Sequence, residues 1–246
     1  MNKEYNHING LLLVNKPSGW TSHDVVSFCR SHFQCSKVGH CGTLDPAATG
    51  LLLLVFGNYT KLSNLFSGED KTYEATIKLG METDSMDMDG EIIHQAPYEH
   101  ISISDIREKL LSFVGETRQV PPMVSALKVN GKKLYQLARK GMEIEREPRS
   151  VFIHSITFGE IKPPYIDFSV SCSKGTYIRS LASDFGKKLG CGATLYKLNR
   201  IRIGNFFLED AHDIETIREW NLNGLQNAIS NYFQNKLSKM AQLSDW

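Results

Sequence analysis

The residues best suited to chemistry lie together between Gly39 and Gly50, in the order Gly-His-Cys-Gly-Thr-Leu-Asp-Pro-Ala-Ala-Thr-Gly. Asp45 is the single acidic side chain of this loop. Pro46 restricts Asp45 to extended backbone and so limits where its carboxylate can point. Glycines on either side let another molecule approach the backbone closely. A carboxylate held this firmly suits nucleophilic catalysis. The plainer alternative is an Asp-Pro pair that merely opens a turn, and on turn chemistry alone that reading carries more weight. Cys41, four positions before Asp45, is a second possible nucleophile. No neighbouring pattern singles out a base to activate it, so a neutral buried thiol is expected.

The elements that must hold this loop can be read from pattern. Residues 10–14 form a short apolar strand, Lys16-Pro17-Ser18-Gly19 a turn, and Thr21 or Ser22 can cap a helix running to about Phe33. Behind the loop, Leu51–Phe56 is apolar at every position, as in a strand covered on both faces. Asn58 can cap a short helix ending near Leu65, and Lys71–Leu79 is a further strand followed by an acidic loop over 83–90. Ser104 can cap a helix through Phe113, and a short helix is expected from Lys132 to Lys140. Two long strands, 150–161 and 165–173, precede a helix with an apolar stripe at Ile178, Leu181, Ala182, Phe185 and Leu189, stopped by Gly190. A strand over 193–203 and one or two helices after 213 complete the chain. Strands outnumber helices and no regular strand–helix–strand repeat occurs. The expected class is therefore α+β, with a mixed, mainly antiparallel sheet flanked by helices.

Composition sets wide limits. The 28 basic and 27 acidic residues nearly cancel, which disfavours a protein that coats nucleic acid indiscriminately but permits a local basic face. No apolar run approaches the roughly 20 residues of a membrane helix, and the first ten residues lack the apolar core of a signal peptide. The five cysteines show no C-x-x-C spacing. They are read as reduced thiols in a cytoplasmic protein, with no zinc site and no membrane partner. Neither a P-loop nor a dinucleotide-binding glycine fingerprint is present.

The motif Gly39-His40-x-Gly42-Thr43-Leu44-Asp45-Pro46-x-Ala48-Thr49-Gly50 resembles the catalytic segment of the TruB family of tRNA pseudouridine synthases. Further blocks follow in family order over residues 9–204. They are Asn9–Pro17 with Gly19; Lys71-x-Tyr73 with Leu79-Gly80, Thr83-Asp84 and Asp87-x-Asp89-Gly90; and Pro122-x-x-Ser125-Ala126-Leu127-Lys128 with Gly131–Tyr135. Last come Cys172–Arg179 and Leu189–Ala193. Two positions depart from the usual motif, Cys41 in place of Thr and Ala47 in place of Leu, and neither removes a group the chemistry needs.

The resemblance implies the pseudouridine synthase fold and isomerisation of uridine to pseudouridine at position 55 in the tRNA T-loop, with no cofactor and no metal. It implies Asp45 as the nucleophile, Arg179 as the arginine that pairs with it, and Tyr73 as the residue stacked on the target base. Tyr177, Leu198 and Asp87 fall at positions of the base pocket and its surroundings, and His40 at one that helps hold the everted nucleotide. The base must be flipped out of a folded loop, so basic residues must grip the RNA; Lys16, Lys61, Lys128, Lys132, Lys133 and Lys174 are candidates. Residues 1–210 are expected to form the catalytic domain and 211–246 a helical tail, too short for the β-barrel PUA domain usual in the family. The expected partner is the T-arm of tRNA, and the protein is expected to be a monomer. Two rival readings remain: the same chemistry at another RNA site, or an RNA-folding factor whose main act is binding.

Overall fold

The structure, a computed structural model, describes residues 5–125, 127–129, 131–134, 137, 142 and 144–230. In chain order its elements begin β1 (Gly10–Lys16), α1 (Ser22–His32), β2 (Val38–Cys41), β3 (Thr49–Phe56), α2 (Ser63–Ser67) and β4 (Lys71–Leu79). They continue β5 (Met81–Thr83), β6 (Ile92–Gln95), α3 (Ile103–Leu111), β7 (Gly115–Gln119), β8 (Lys128–Val129), β9 (Lys132–Lys133), β10 (Arg149–Lys162) and β11 (Tyr165–Cys172). The last are α4 (Ile178–Leu189), β12 (Ala193–Ile203), β13 (Phe206–Phe207), β14 (His212–Asp213) and α5 (Ile214–Arg218), after which 222–230 are helical. The chain divides into two units, one made of 1–69 and 200–246, the other of 70–199.

In the first unit β3 is the centre. It pairs antiparallel with β1, Gly10 opposite Phe56 through Lys16 opposite Gly50, and also with β2, Cys41 opposite Leu53. Side chains alternate across a strand, so the apolar run of β3 divides between two cores. Leu52, Leu54 and Phe56 join Leu12, Val14 and the inner face of α1, namely Val25, Val26 and Cys29. Leu51, Leu53 and Val55 join Leu11, Leu13, Cys41 and Ile203 on the other side. Each such leucine, fully removed from water, contributes about 1.5–3 kcal/mol.

Thr21 caps α1 in a capping box with Asp24, which leaves the adjacent Ser22 free for another task. The described part of the expected 211–246 tail is built into this unit. β14 runs parallel to β1, and Ile214, Ile217, Leu225 and Ile229 fill the core beside Val14 and Val25. Ile229 packs so closely on Gly10 that a Cβ there would lie 2.3 Å from its Cγ2.

The second unit orders its strands β4-β11-β10-β7, all antiparallel neighbours. Ile166, Phe168, Val170 and Cys172 of β11 are buried and alternate with partly exposed residues, as the sequence pattern requires. Helix α4 buries Ile178, Leu181, Ala182 and Phe185 and stops at Gly190 in the left-handed conformation. Helix α3 packs against it through an apolar side containing Ile106 and Leu110. Its cap is Ser102 and not Ser104. The reason is the acidic residue three positions on: Asp105 returns a bond to the Ser102 backbone, whereas Arg107 could not do so for Ser104. The expected helix over 132–140 lies largely outside the described residues. Lys132–Lys133 form a hairpin with Lys128–Val129 instead, and Leu134 and Leu137 are helical.

Candidate active site

Asp45 sits half-buried in the loop between β2 and β3. Gly42 enters that loop with φ of 86°, a conformation costly for any residue with a side chain. The loop is tied down through its backbone at several points. The Ser22 hydroxyl accepts from Leu44 N (2.9 Å) and donates to Leu44 O (3.2 Å). Gly19 N donates to Pro46 O at 2.9 Å, and Ser18 Oγ to Ala47 O at 3.2 Å. Asp45 O itself accepts from Ala48 N at 3.1 Å. The turn after β1 and the first residue of α1 thus form the bed on which the loop rests.

Two buried cations complete the frame. Lys16, with no exposed surface, donates from Nζ to the carbonyls of Pro17 (2.8 Å), Trp20 (2.6 Å) and Pro46 (3.1 Å). Arg200, from the last part of β12, donates to Leu51 O (2.7 Å), Gly42 O (3.0 Å) and Thr43 O (3.5 Å). Lys16 was expected to grip RNA, and its burial corrects that expectation: an ammonium enclosed by three carbonyls cannot reach a phosphate chain. Lys61 is exposed on the turn after β3 and remains suited to that task.

Burial pushes the Lys16 ammonium down to about 8; the Asp45 carboxylate pulls it back up, and nearby Arg200 pushes it further down. Between about 8 and the usual lysine value of 10.5 the unfolded chain holds a proton the folded chain has released. This group therefore adds stability as pH rises through that window and adds least below it. Its effect on the loop has the opposite sign, because a neutral amine has two N–H groups for three carbonyls. We expect the single-turnover rate to fall as pH rises through about 8 while this contribution to stability grows. Rates and urea midpoints measured side by side from about pH 7 to about 9.5 test this. A flat rate across that range would detach the Lys16 charge from the loop's function.

His40 lies on β2 opposite Leu54. Its Nδ1 is buried and has no hydrogen-bond partner among the described residues. Burial, with Arg200 and His23 nearby, lowers its pKa and keeps the ring neutral near pH 7. Cys41 is fully buried in the second core, in keeping with a packing thiol.

The second unit carries the other expected site residues. Arg179, near the start of α4, is 3% exposed. Its guanidinium donates to Ser85 O (3.1 Å) and Val124 O (2.8 Å) and stands 3.5 Å from the Asp87 carboxylate. Asp87 is fixed in turn by Ser85 Oγ and Asp89 N, and its carbonyl accepts from Thr83 Oγ1 at 2.6 Å. The structure thus brings Asp87 and Arg179 together as one ion pair on the turn over 83–90. Tyr73, 8% exposed, stands on β4 across from Val170. Tyr177 is half-buried at the head of α4, where no side chain of its own caps the helix and Gln119 Oε1 accepts its N–H at 3.1 Å. Leu198 is half-buried on β12.

Residue-type reasoning missed Ser22, Arg200, Ser85 and Gln119. Ser22 was visible only as a rival cap, and an arginine in a strand beside Lys197 and Arg202 looks like one more solvated charge.

Comparison with known proteins defines the class first. The fold matches the protein in an H/ACA RNP bound to a substrate RNA containing 2′-deoxyuridine, at 25% identity and TM-score 0.65 over 86% of this chain. It also matches a Cbf5-Nop10-Gar1 complex at 26% identity and TM-score 0.67 over 89%. The chain spans 53% and 61% of those solved chains, and the shared architecture is the pseudouridine synthase fold.

Residues 30–178 match the model of the TruB family pseudouridylate synthase N-terminal domain, and 179–245 that of the tRNA pseudouridylate synthase B C-terminal domain. The tRNA pseudouridine synthase B of Clostridium kluyveri is 46% identical over 215 residues, covering 87% of this chain and 74% of that one. That of Opitutus terrae is 43% identical over 227 residues, covering 92% and 94%. This chain belongs to the TruB family of pseudouridylate synthases, enzymes that isomerise uridine to pseudouridine. Among the described residues no helix is long and apolar enough to cross a membrane, and no three His, Cys, Asp or Glu side chains gather as metal ligands.

Proposed function

We propose that the RNA substrate is tRNA, that the modified base is uridine 55 of the T-loop, and that Asp45 is the nucleophile. The observation that carries the substrate reading is similarity along nearly the whole chain to enzymes named tRNA pseudouridine synthase B, 94% of one relative being spanned. The support for Asp45 is its setting, a carboxylate on a backbone tied at Leu44, Pro46 and Ala47.

The bond from uracil N1 to the sugar C1′ breaks, and the base turns over. C5 then bonds to C1′; the proton leaves C5 and N1 gains one, so the reaction is balanced without an outside reagent. Asp45 attacks the sugar or the base to open this sequence. Tyr73 stacks on the everted base, Arg179 supplies a fixed positive charge oriented by Asp87, and His40, Tyr177 and Leu198 contact the nucleotide. Lys61 belongs to the surface that grips the RNA backbone. Flipping the base costs a few kcal/mol of stacking, which aromatic and apolar contacts partly offset. We take the protein to act as a monomer in the cytoplasm, with no cofactor.

The test is direct. Unmodified tRNA transcript and an isolated T-arm stem-loop are incubated with the pure protein, and pseudouridine is mapped at single-nucleotide resolution. The expected result is one product at position 55 in both RNAs, with kcat/KM alike within about tenfold, or about 1.4 kcal/mol. Modification only at other positions would overturn the substrate. Tight RNA binding with no product would favour a folding factor.

A further inference from the structure

We propose that Arg200 is a positioning residue for the Asp45 loop, acting as a latch that closes its two ends onto each other. Arg200 is 1% exposed, so its charge has been taken out of water at considerable cost. A buried guanidinium persists where its donors are used, and here they meet backbone carbonyls at both ends of one loop. Nε donates to Leu51 O, just beyond the loop, and the two terminal nitrogens face Gly42 O and Thr43 O, at its start. The planar fork therefore spans the mouth of the segment that carries Asp45 at its middle. No other side chain type presents donors in one rigid plane at that spread; lysine concentrates three donors on a single atom.

The charge has a second effect. Arg200 lies close enough to Lys16 and His40 to disfavour their protonated forms. It thus helps keep the His40 imidazole neutral. Lys16 holds the far side of the loop at Pro46, and Arg200 the two ends, so the carboxylate is set by three fixed points on its own backbone. A nucleophile displaced by about 1 Å can lose on the order of a hundredfold in rate while binding is untouched.

This inference rests on Asp45 being the nucleophile, and the experiment separates the two. The full chain is prepared with Arg200→Lys, Arg200→Met and, as a control on the reading itself, Asp45→Asn. For each, RNA affinity, single-turnover rate and thermal midpoint are measured, and Arg200→Gly is assayed with and without added methylguanidinium. The expected result is a folded Arg200→Lys protein that binds T-arm RNA within about twofold of normal but turns over at least about tenfold more slowly. Arg200→Met should be slower still, and methylguanidinium should restore part of the Arg200→Gly rate. A near-normal rate for Arg200→Lys overturns the latch. So does a rate loss matched by an equal loss of RNA binding, or failure of both the Lys and Met proteins to fold, since either outcome shows a group needed for the structure in general. An active Asp45→Asn protein would instead remove the reading on which the latch rests.

Discussion

Asp45→Asn should leave a folded protein that binds T-arm RNA with near-normal affinity and forms no detectable pseudouridine. The substitution is nearly isosteric, and it leaves in place the backbone bonds at Leu44, Pro46, Ala47 and Asp45 that help to shape the loop. What it removes is the negative charge. For a nucleophile the loss should be on the order of a thousandfold or more, at least about 4 kcal/mol in the barrier. A secondary effect follows at Lys16, whose pKa is raised by Asp45; without that carboxylate it should fall further. The measurement is single-turnover pseudouridine formation beside a binding isotherm. An asparagine protein that still turned over at a few per cent of the normal rate would remove Asp45 from the role.

Arg179→Lys should prove far from conservative. The native guanidinium meets Ser85 O, Val124 O and the Asp87 carboxylate together, which needs donors spread over a plane. A lysine ammonium can approach Asp87 but cannot also serve both carbonyls, and leaving the buried Ser85 carbonyl unmet costs about 1–3 kcal/mol. We expect the rate to fall at least tenfold, about 1.4 kcal/mol or more, with a lower thermal midpoint. A methionine at 179 would be worse, since it leaves Asp87 largely buried without its counter-charge. A lysine protein with a near-normal rate would show that the fork of Arg179 contributes nothing to the chemistry.

The contrast between Asp45 and Arg200 shows what the sequence makes legible. Asp45 is marked by local signals: an Asp-Pro pair, flanking glycines and a strand-sized apolar run directly after. The same is true of β3, β4, β11, α4 and β12, where period and punctuation agree and the observed bounds match the expected ones or differ by at most two residues. Arg200 carries no such mark, because its burial is imposed by strands and a loop some 150 residues earlier in the chain. Lys16 misled for the same reason; beside Pro17 it looks like an exposed turn lysine until the Pro46 carbonyl arrives from another segment. The short strands β2, β5 and β7 escaped notice because their few residues alternate weakly, and β7 is polar at four of its five positions. The choice between Ser102 and Ser104 was legible in principle, since only one has an acid three residues on.

The latch also sets a timetable for synthesis. The residues that Arg200 ties together lie 149–158 positions before it. Ile214, Ile217 and Leu225, which close the core behind β1, come later still. On a ribosome adding about 5–20 residues per second, the Asp45 loop emerges roughly 8–30 s before its arginine does. Throughout that interval the second unit, 70–199, is being completed as an unbroken stretch, while the unit that holds Asp45 waits for the residues from 200 onward. A nascent chain that has not yet reached Arg200 lacks the side chain that closes the loop, and on the proposed role of that arginine it should turn over poorly.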